Sequence, residues 1–276
     1  MADTRTLAPV DDEAFVIPAP DVSHLITEDD APVDNIFSER QMALLRETLY
    51  TSWAGPGEGR TFVAMGNVAI YATNFTPPLV PDFLISLDVQ IPDDPLLKEH
   101  RCYFLWLYGK PPEVVVEIVS NQKGNELGDK LLDYARLGVA YYIVYDPFRE
   151  ISNEPLRIFA RQATRFVETT ERWLAEIELG LTLWAGDYDG FNDVWLRWVD
   201  RNGILLATGA EAKREEQMRT EQERQRAEQE RQRAEQERQR AEQERQRAEQ
   251  ERQRAELFAA RLRELGIDPD AITASM

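Results

Sequence analysis

The sequence predicts an α/β (α+β) domain with flanking helices, followed by a long charged helix, and three observations carry that reading. Short apolar runs rich in Val and Ile alternate with amphipathic segments over residues 38–207. Within that span, "EVVVEIVS" (113–120), "NELGDKLLDYARLGV" (125–139) and "YYIVYDP" (141–147) read as strand, helix and strand. Three elements in that order and length form a crossover unit, hence parallel pairing. From Thr208 the composition changes to a strict seven-residue repeat, "AEQERQR".

Taken in order, residues 1–37 carry nine acidic side chains against one basic, Arg5, and read as an acidic mobile arm. "SERQMALLRETLY" is the first helix, with Ser38 and Gln41 as a capping box and Met42, Leu45 and Leu49 on one face. "TFVAM" and "VAIYAT", split by Gly66-Asn67, read as a hairpin. "PDFLISLDV" (81–89) opens on a proline-led turn and becomes a strand. "EVVVEIVS" is a near-continuous apolar strand of the kind covered on both faces. In the next helix Leu127, Leu131, Tyr134 and Ala135 share a face, and Gly138 supplies the stop. "LRIFAR", "RFVET" and "WLAEIEL" are shorter strand candidates, and "VWLRWVDRNGILLA" is a hairpin turning at Asn202-Gly203. Trp195 and Trp198 fall on opposite faces of its first strand and read as packing residues rather than base-stacking ones.

The region 208–276 is a long charged helix. Thr208 and Glu211 form a capping box, and Ala227, Ala234, Ala241, Ala248 and Ala255 mark the heptad. A coiled coil needs two apolar seam positions per heptad, whereas this repeat offers one alanine. Its helicity therefore rests on pairs such as Glu228–Arg231 and Arg231–Glu235, worth about 0.2–0.5 kcal/mol each. Leu257, Phe258, Leu262 and Leu265 could close a short zipper before Gly266 and Pro269. The segment reads either as an oligomerisation stalk or as a solvated repeat without a partner.

Composition narrows the function. The only cysteine is Cys102 and the only histidines are His24 and His100, so thiolate clusters and zinc-type spacings are excluded. No apolar run reaches membrane-spanning length and no basic-plus-apolar leader opens the chain, which predicts a soluble, cytoplasmic protein. The net charge is −18, of which residues 1–210 hold −16, so non-specific affinity for nucleic acid should be weak.

The chemistry centres on Glu117, a carboxylate inside an apolar strand. Left unpaired there an ionised acid is costly, so it must be paired, protonated or metal-bound. Its candidate companions are Asp82, in the proline-led turn, and Lys130, on the following helix. Two carboxylates and a lysine at one point make a Mg²⁺ site for phosphodiester hydrolysis, to which the backbone carbonyl of Ile118 could add a ligand. Each residue also has a plain reading: Asp82 as turn chemistry, Lys130 as a helix-surface lysine, Glu117 as a strand-end acid paired with an arginine.

Residues 111–147, "PPEVVVEIVSNQKGNELGDKLLDYARLGVAYYIVYDP", together with "VPDFLISLDV", resemble a bacterial family of restriction-endonuclease type abundant in cyanobacteria. That family belongs to the PD-(D/E)XK nuclease superfamily, and the resemblance extends over roughly residues 38–210. It implies a restriction-endonuclease-like mixed sheet, an endonuclease (a hydrolase) acting on nucleic acid, DNA first, and Mg²⁺ or Mn²⁺ as cofactor. Asp82 and Glu117 match the acids of the superfamily pattern, but Val119 stands where its lysine is expected. The family resembled moves the lysine to the next helix, which makes Lys130 the choice and Lys123 the runner-up. Ser120 matches a serine that shapes the turn. The alternative is a catalytically inactive nuclease-fold scaffold that binds proteins through its acidic surface and helical stalk.

Overall fold

The computed structural model describes residues 20–27, 35–57, 59–121 and 125–264. Lys123, Leu265, Gly266, Pro269 and most of the N-terminal arm lie outside the described residues. The chain divides into two compact units, meeting between Ala212 and Lys213.

The first unit is built on a six-stranded mixed sheet. Its elements in chain order are helix α1 (Ile36–Ser52), strands β1 (Phe62–Gly66), β2 (Ile70–Tyr71), β3 (Phe83–Leu87) and β4 (Tyr103–Phe104), and the one-turn helix α2 (Leu105–Tyr108). Strand β5 (Val114–Ile118), helix α3 (Asp129–Leu137) and strand β6 (Tyr141–Tyr145) come next. The remainder comprises β7 (Leu156–Gln162), β8 (Arg165–Thr169), β9 (Trp173–Leu174), β10 (Leu179–Tyr188), β11 (Phe191–Val199) and the start of helix α4 (Gly209–Glu264). The main sheet runs β1-β3-β5-β6-β7-β8. Only β5 and β6 pair in parallel, across the predicted crossover; the other neighbours are antiparallel. Strands β9–β11 make a second, antiparallel sheet, and β2 and β4 a small parallel pair.

Strand β5 is an interior strand buried on both faces, which explains an apolar run interrupted by Glu117 alone. Val114, Val116 and Ile118 face a core shared with Leu45 and Leu49 of α1 and with Leu179, Leu181, Leu196 and Trp198 of the second sheet. Val115 and the adjoining Val119 face the other way, into a core with Leu84, Tyr134, Tyr142 and Val144. Helix α3 ends where Gly138 adopts a left-handed φ of 101°.

Three local expectations are corrected. Helix α1 is capped by Asn35, whose side chain accepts from the backbone N of Ser38, rather than by a Ser38–Gln41 box. Gln41 is instead buried and spends its amide on both backbone groups of Leu196, fastening α1 to β11. "TFVAM" and "VAIYAT" are not a hairpin: β1 pairs with β3 and β2 with β4, because the turn at Asn67 (φ 54°) sends the chain away and its N–H bonds the carbonyl of Asp82. The hairpin of the second sheet is β10–β11, closed by the two left-handed residues Asp189 and Gly190, and β10 is a strand the pattern did not reveal. Asn202-Gly203 does form a turn, organised by the Asp200 carboxylate, but the chain leaving it makes only an isolated bridge, Leu205 to Val199, in place of a second strand.

Trp195 and Trp198 are both fully buried. Trp195 stacks on Phe37 at 4.9 Å, and the Trp198 indole donates to the Leu45 carbonyl. The Thr208–Glu211 capping box is present in both directions at the root of α4. There Arg197, 1% exposed, donates two guanidinium bonds to Glu211 and one to the Leu206 carbonyl.

In the second unit, α4 continues to Glu264 with no buried residue. At about 1.5 Å per residue its 56 residues span roughly 84 Å. The regular side-chain pairing differs from the expected Glu–Arg ladder: in successive heptads Gln225, Gln232, Gln239, Gln246 and Gln253 each donate to the glutamate four residues earlier. Leu257 and Phe258 are exposed. Among the described residues no helix is long and apolar enough to cross a membrane.

Candidate active site

The site forms where β3, β5 and α3 meet. Strand β3 pairs antiparallel with β5 as far as Phe83 opposite Val116. Continuing that register by one residue sets Asp82 opposite Glu117. The chain is no longer a strand at Asp82, so the next ladder bond passes to its side chain: Asp82 Oδ2 accepts from the backbone N of Ile118 at 2.5 Å. The backbone of β5 bonds β3 through its even-numbered residues and β6 through its odd ones, which turns Ile118 toward Asp82.

Glu117 is 2% exposed. Its Oε1 accepts from the Tyr134 hydroxyl at 2.8 Å and its Oε2 from Lys130 Nζ at 2.9 Å. Lys130 and Tyr134 are one helical turn apart, so α3 presents both to the same point on the sheet. Lys130 therefore does reach over from the helix, and Val119 lies in the core beneath. The Lys130 side chain remains 31% exposed, so its ammonium borders both the buried acid and solvent.

Burial pushes the Glu117 carboxyl up to about 7, and neighbouring Asp82 adds to the rise. The Lys130 charge and the bonds from Lys130 and Tyr134 pull in the opposite direction. For Lys130, burial favours the neutral amine, but the attraction of Glu117, with Glu126 and Asp82, outweighs it and raises its pKa. Tyr134 is pushed well above its ordinary value, mainly by burial, and so serves as a hydrogen-bond donor.

The sequence motif contains other polar residues with structural duties. Glu113 Oε2 accepts from the Leu87 backbone N at 2.8 Å, and Glu113 pairs with Lys110. Asp146 of the "DP" step is buried and accepts from the backbone N–H groups of Glu150, Ile151 and Ser152. His24 and His100 each bond a backbone carbonyl, of Asn74 and Asp94 respectively.

Two residues in the site were not anticipated. Tyr134 reads as core on the apolar face of α3, although its spacing from Lys130 is the clue to its second role. Glu126 stands in the turn before α3 and is 7% exposed; its Oε1 lies 3.7 Å from Lys130 Nζ. Its sequence signal was the same four-residue step, Glu126 to Lys130.

The model of one protein family, Uma2, described as "Putative restriction endonuclease", matches residues 19–185. The chain belongs to this family. The Uma2 match runs through the whole six-stranded sheet and into β10, and includes Asp82, Glu117, Glu126, Lys130 and Tyr134. Strand β11 and helix α4 lie beyond it. Membership in Uma2 directs the functional reading to nuclease-like chemistry and interaction with nucleic acid. No curated protein and no solved structure matches the chain.

Proposed function

We propose that the protein is a Mg²⁺-dependent endonuclease, hydrolysing phosphodiester bonds of nucleic acid and of DNA first, with Asp82, Glu117 and Lys130 as its working residues. The observation that carries this reading is the Glu117–Lys130 contact: a carboxylate buried on an interior strand, held at 2.9 Å by a lysine that also borders solvent. Structural carboxylates are seldom buried at such cost, and strongly perturbed acids with a specific charged partner concentrate at functional sites.

The donors suit a hard cation. Asp82, Glu117 and the backbone carbonyl of Ile118 would supply oxygen ligands of the kind Mg²⁺ or Mn²⁺ takes. Among the described residues no three acidic, histidine or cysteine side chains could form a metal-holding group by themselves, so the backbone carbonyl and water belong to this reading. When bound, the ion supplies a water of lowered pKa and charge to stabilise the scissile phosphate. Tyr134 fixes the plane of the Glu117 carboxylate by holding Oε1. The Asp82 carboxylate is kept at the end of β5 by its bond from Ile118. Lys130 contributes a point charge for the phosphate or the attacking water.

The test is cleavage of double- and single-stranded DNA by the full chain with Mg²⁺ or Mn²⁺. Glu117→Gln and Lys130→Ala should each reduce the rate about a hundredfold or more, as loss of a positioned catalytic group does. Lys123→Ala in parallel decides between the two lysines. Wild-type protein that leaves all substrates uncut refutes the enzyme. That outcome would favour the second reading, a non-catalytic scaffold, which is supported by the −16 charge of residues 1–210 and its poor fit to a polyanion.

A further inference from the structure

Glu126 carries an oxygen that the chemistry above does not use. Its Oε2 is buried and has no hydrogen-bond partner among the described residues, while Oε1 stops at 3.7 Å from the Lys130 ammonium. A buried carboxylate oxygen left unsatisfied is rare in folded proteins and calls for a cause. The residue is not loosely held. The buried Tyr142 hydroxyl donates to its backbone carbonyl at 2.9 Å, and the turn behind it is closed by Asn125, whose side chain bonds Asp129. The Asn125 side chain packs tightly over Gly128, where a Cβ would meet its Oδ1 at 2.0 Å and displace it. The backbone thus fixes Glu126 beside Lys130.

Lys130 has three N–H donors on a flexible four-carbon arm, and one of them bonds Glu117 Oε2. A divalent ion drawn to Glu117 would meet that ammonium at the same oxygen, and like charges at such separation repel strongly away from bulk water. The lysine must then move, and the nearest described acid with an open oxygen is Glu126.

We propose, building on the metal site above, that Glu126 is a positioning residue that receives the Lys130 ammonium when a divalent cation takes Glu117. The lysine then alternates between two acids: it neutralises Glu117 before the ion arrives, and afterwards is held by Glu126 at the margin of the site. The 3.7 Å gap and the unpartnered Oε2 belong to the first of these two states.

The test is a double-mutant cycle read by calorimetric titration of Mn²⁺ into the full-length protein, without substrate. Glu126→Gln should weaken Mn²⁺ binding about tenfold, the size usual for residues that support a metal's ligands. In a Lys130→Ala background the same change should alter affinity by less than about twofold, because the ammonium that needs a resting place is gone. Should Glu126→Gln fail to fold, Glu126→Asp takes its place, and its shorter arm should give a loss of about threefold or more that likewise vanishes without Lys130. An affinity that Glu126→Gln leaves unchanged while Lys130 is present overturns the proposal. So does equal weakening with and without Lys130, which would mark Glu126 as a ligand in its own right. Wild-type protein that binds no Mn²⁺, or Glu117→Gln protein that binds it equally well, refutes the metal site itself and Glu126's role with it.

Discussion

Glu117 and Glu256 each meet a cation at about the same distance, Lys130 at 2.9 Å and Arg252 at 3.2 Å. They have little else in common. The Glu117 side chain is 3% exposed and that of Glu256 is 68% exposed. Around Glu117 the sheet and α3 bury the carboxylate, so its charge is decided by that burial against the ammonium of Lys130, with Asp82 and the Tyr134 hydroxyl as its other neighbours. On α4 water screens every pair, and stability comes from the repetition of weak ones. The contrast teaches that charge acquires chemical consequence from the strand and helix that bury it. The glutamate-rich repeat holds many carboxylates, and among the described residues of α4 none is buried.

Lys130→Ala leaves Glu117 buried without its cation and should cost about 3 kcal/mol at pH 8 by urea unfolding. The loss should shrink towards pH 5, where Glu117 is neutral. Glu211 offers an intermediate case. Its bonds from Arg197, and then those from Thr208, hold its carboxyl down at about 2. A folded-state value below the unfolded one contributes stability above pH 4.5 that is lost as pH falls towards 2. Glu211→Ala should therefore cost about 2 kcal/mol at pH 7, moderated by the partial exposure of Glu211, and progressively less below pH 4.

Glu117 titrates with the opposite sign. Its folded value lies above the unfolded one, so between pH 4.5 and about 7 the folded state holds more protons. Stability from this group is present at low pH and declines as pH rises through that window. Glu117→Gln cannot titrate, so its unfolding free energy relative to wild type, measured by urea unfolding, should climb from pH 5 to pH 8 by an amount on the order of 1–2 kcal/mol. A gap that is flat with pH would mean the carboxylate is not desolvated. At the exposed extreme, Gln232→Ala and Arg252→Ala on α4 should each change helix stability by less than about 0.5 kcal/mol, measured by circular dichroism during heating.

Much of this architecture is legible in the residues. The near-continuous apolar run of β5 announces a strand covered on both sides, and Gly138 and the Thr208–Glu211 box mark helix ends that need special geometry. Asp82, Glu117 and Lys130 stand out because charged groups at those places need partners. What escaped reading depends on long-range contacts. Ser38 looks like a cap, yet Asn35 takes that role once Gln41 is recruited to Leu196, 155 residues away. Strand β10 is interrupted by glycines and grades from buried to half-exposed, so no period declares it. Tyr134 and Glu126 were hidden for different reasons, one among core aromatics and the other in a polar turn, and only the Glu117–Lys130 pair gives them their places, Tyr134 on the acid and Glu126 beside the lysine.

The most direct test of the central claim is a crystal structure of the wild-type chain soaked in Mn²⁺, with anomalous scattering measured to locate the ion. The expected result is a peak bonded to Asp82 and Glu117 at about 2.0–2.4 Å, with the Lys130 ammonium drawn away from Glu117 Oε2. A map with no peak there, and Lys130 still bonded to Glu117, would contradict it.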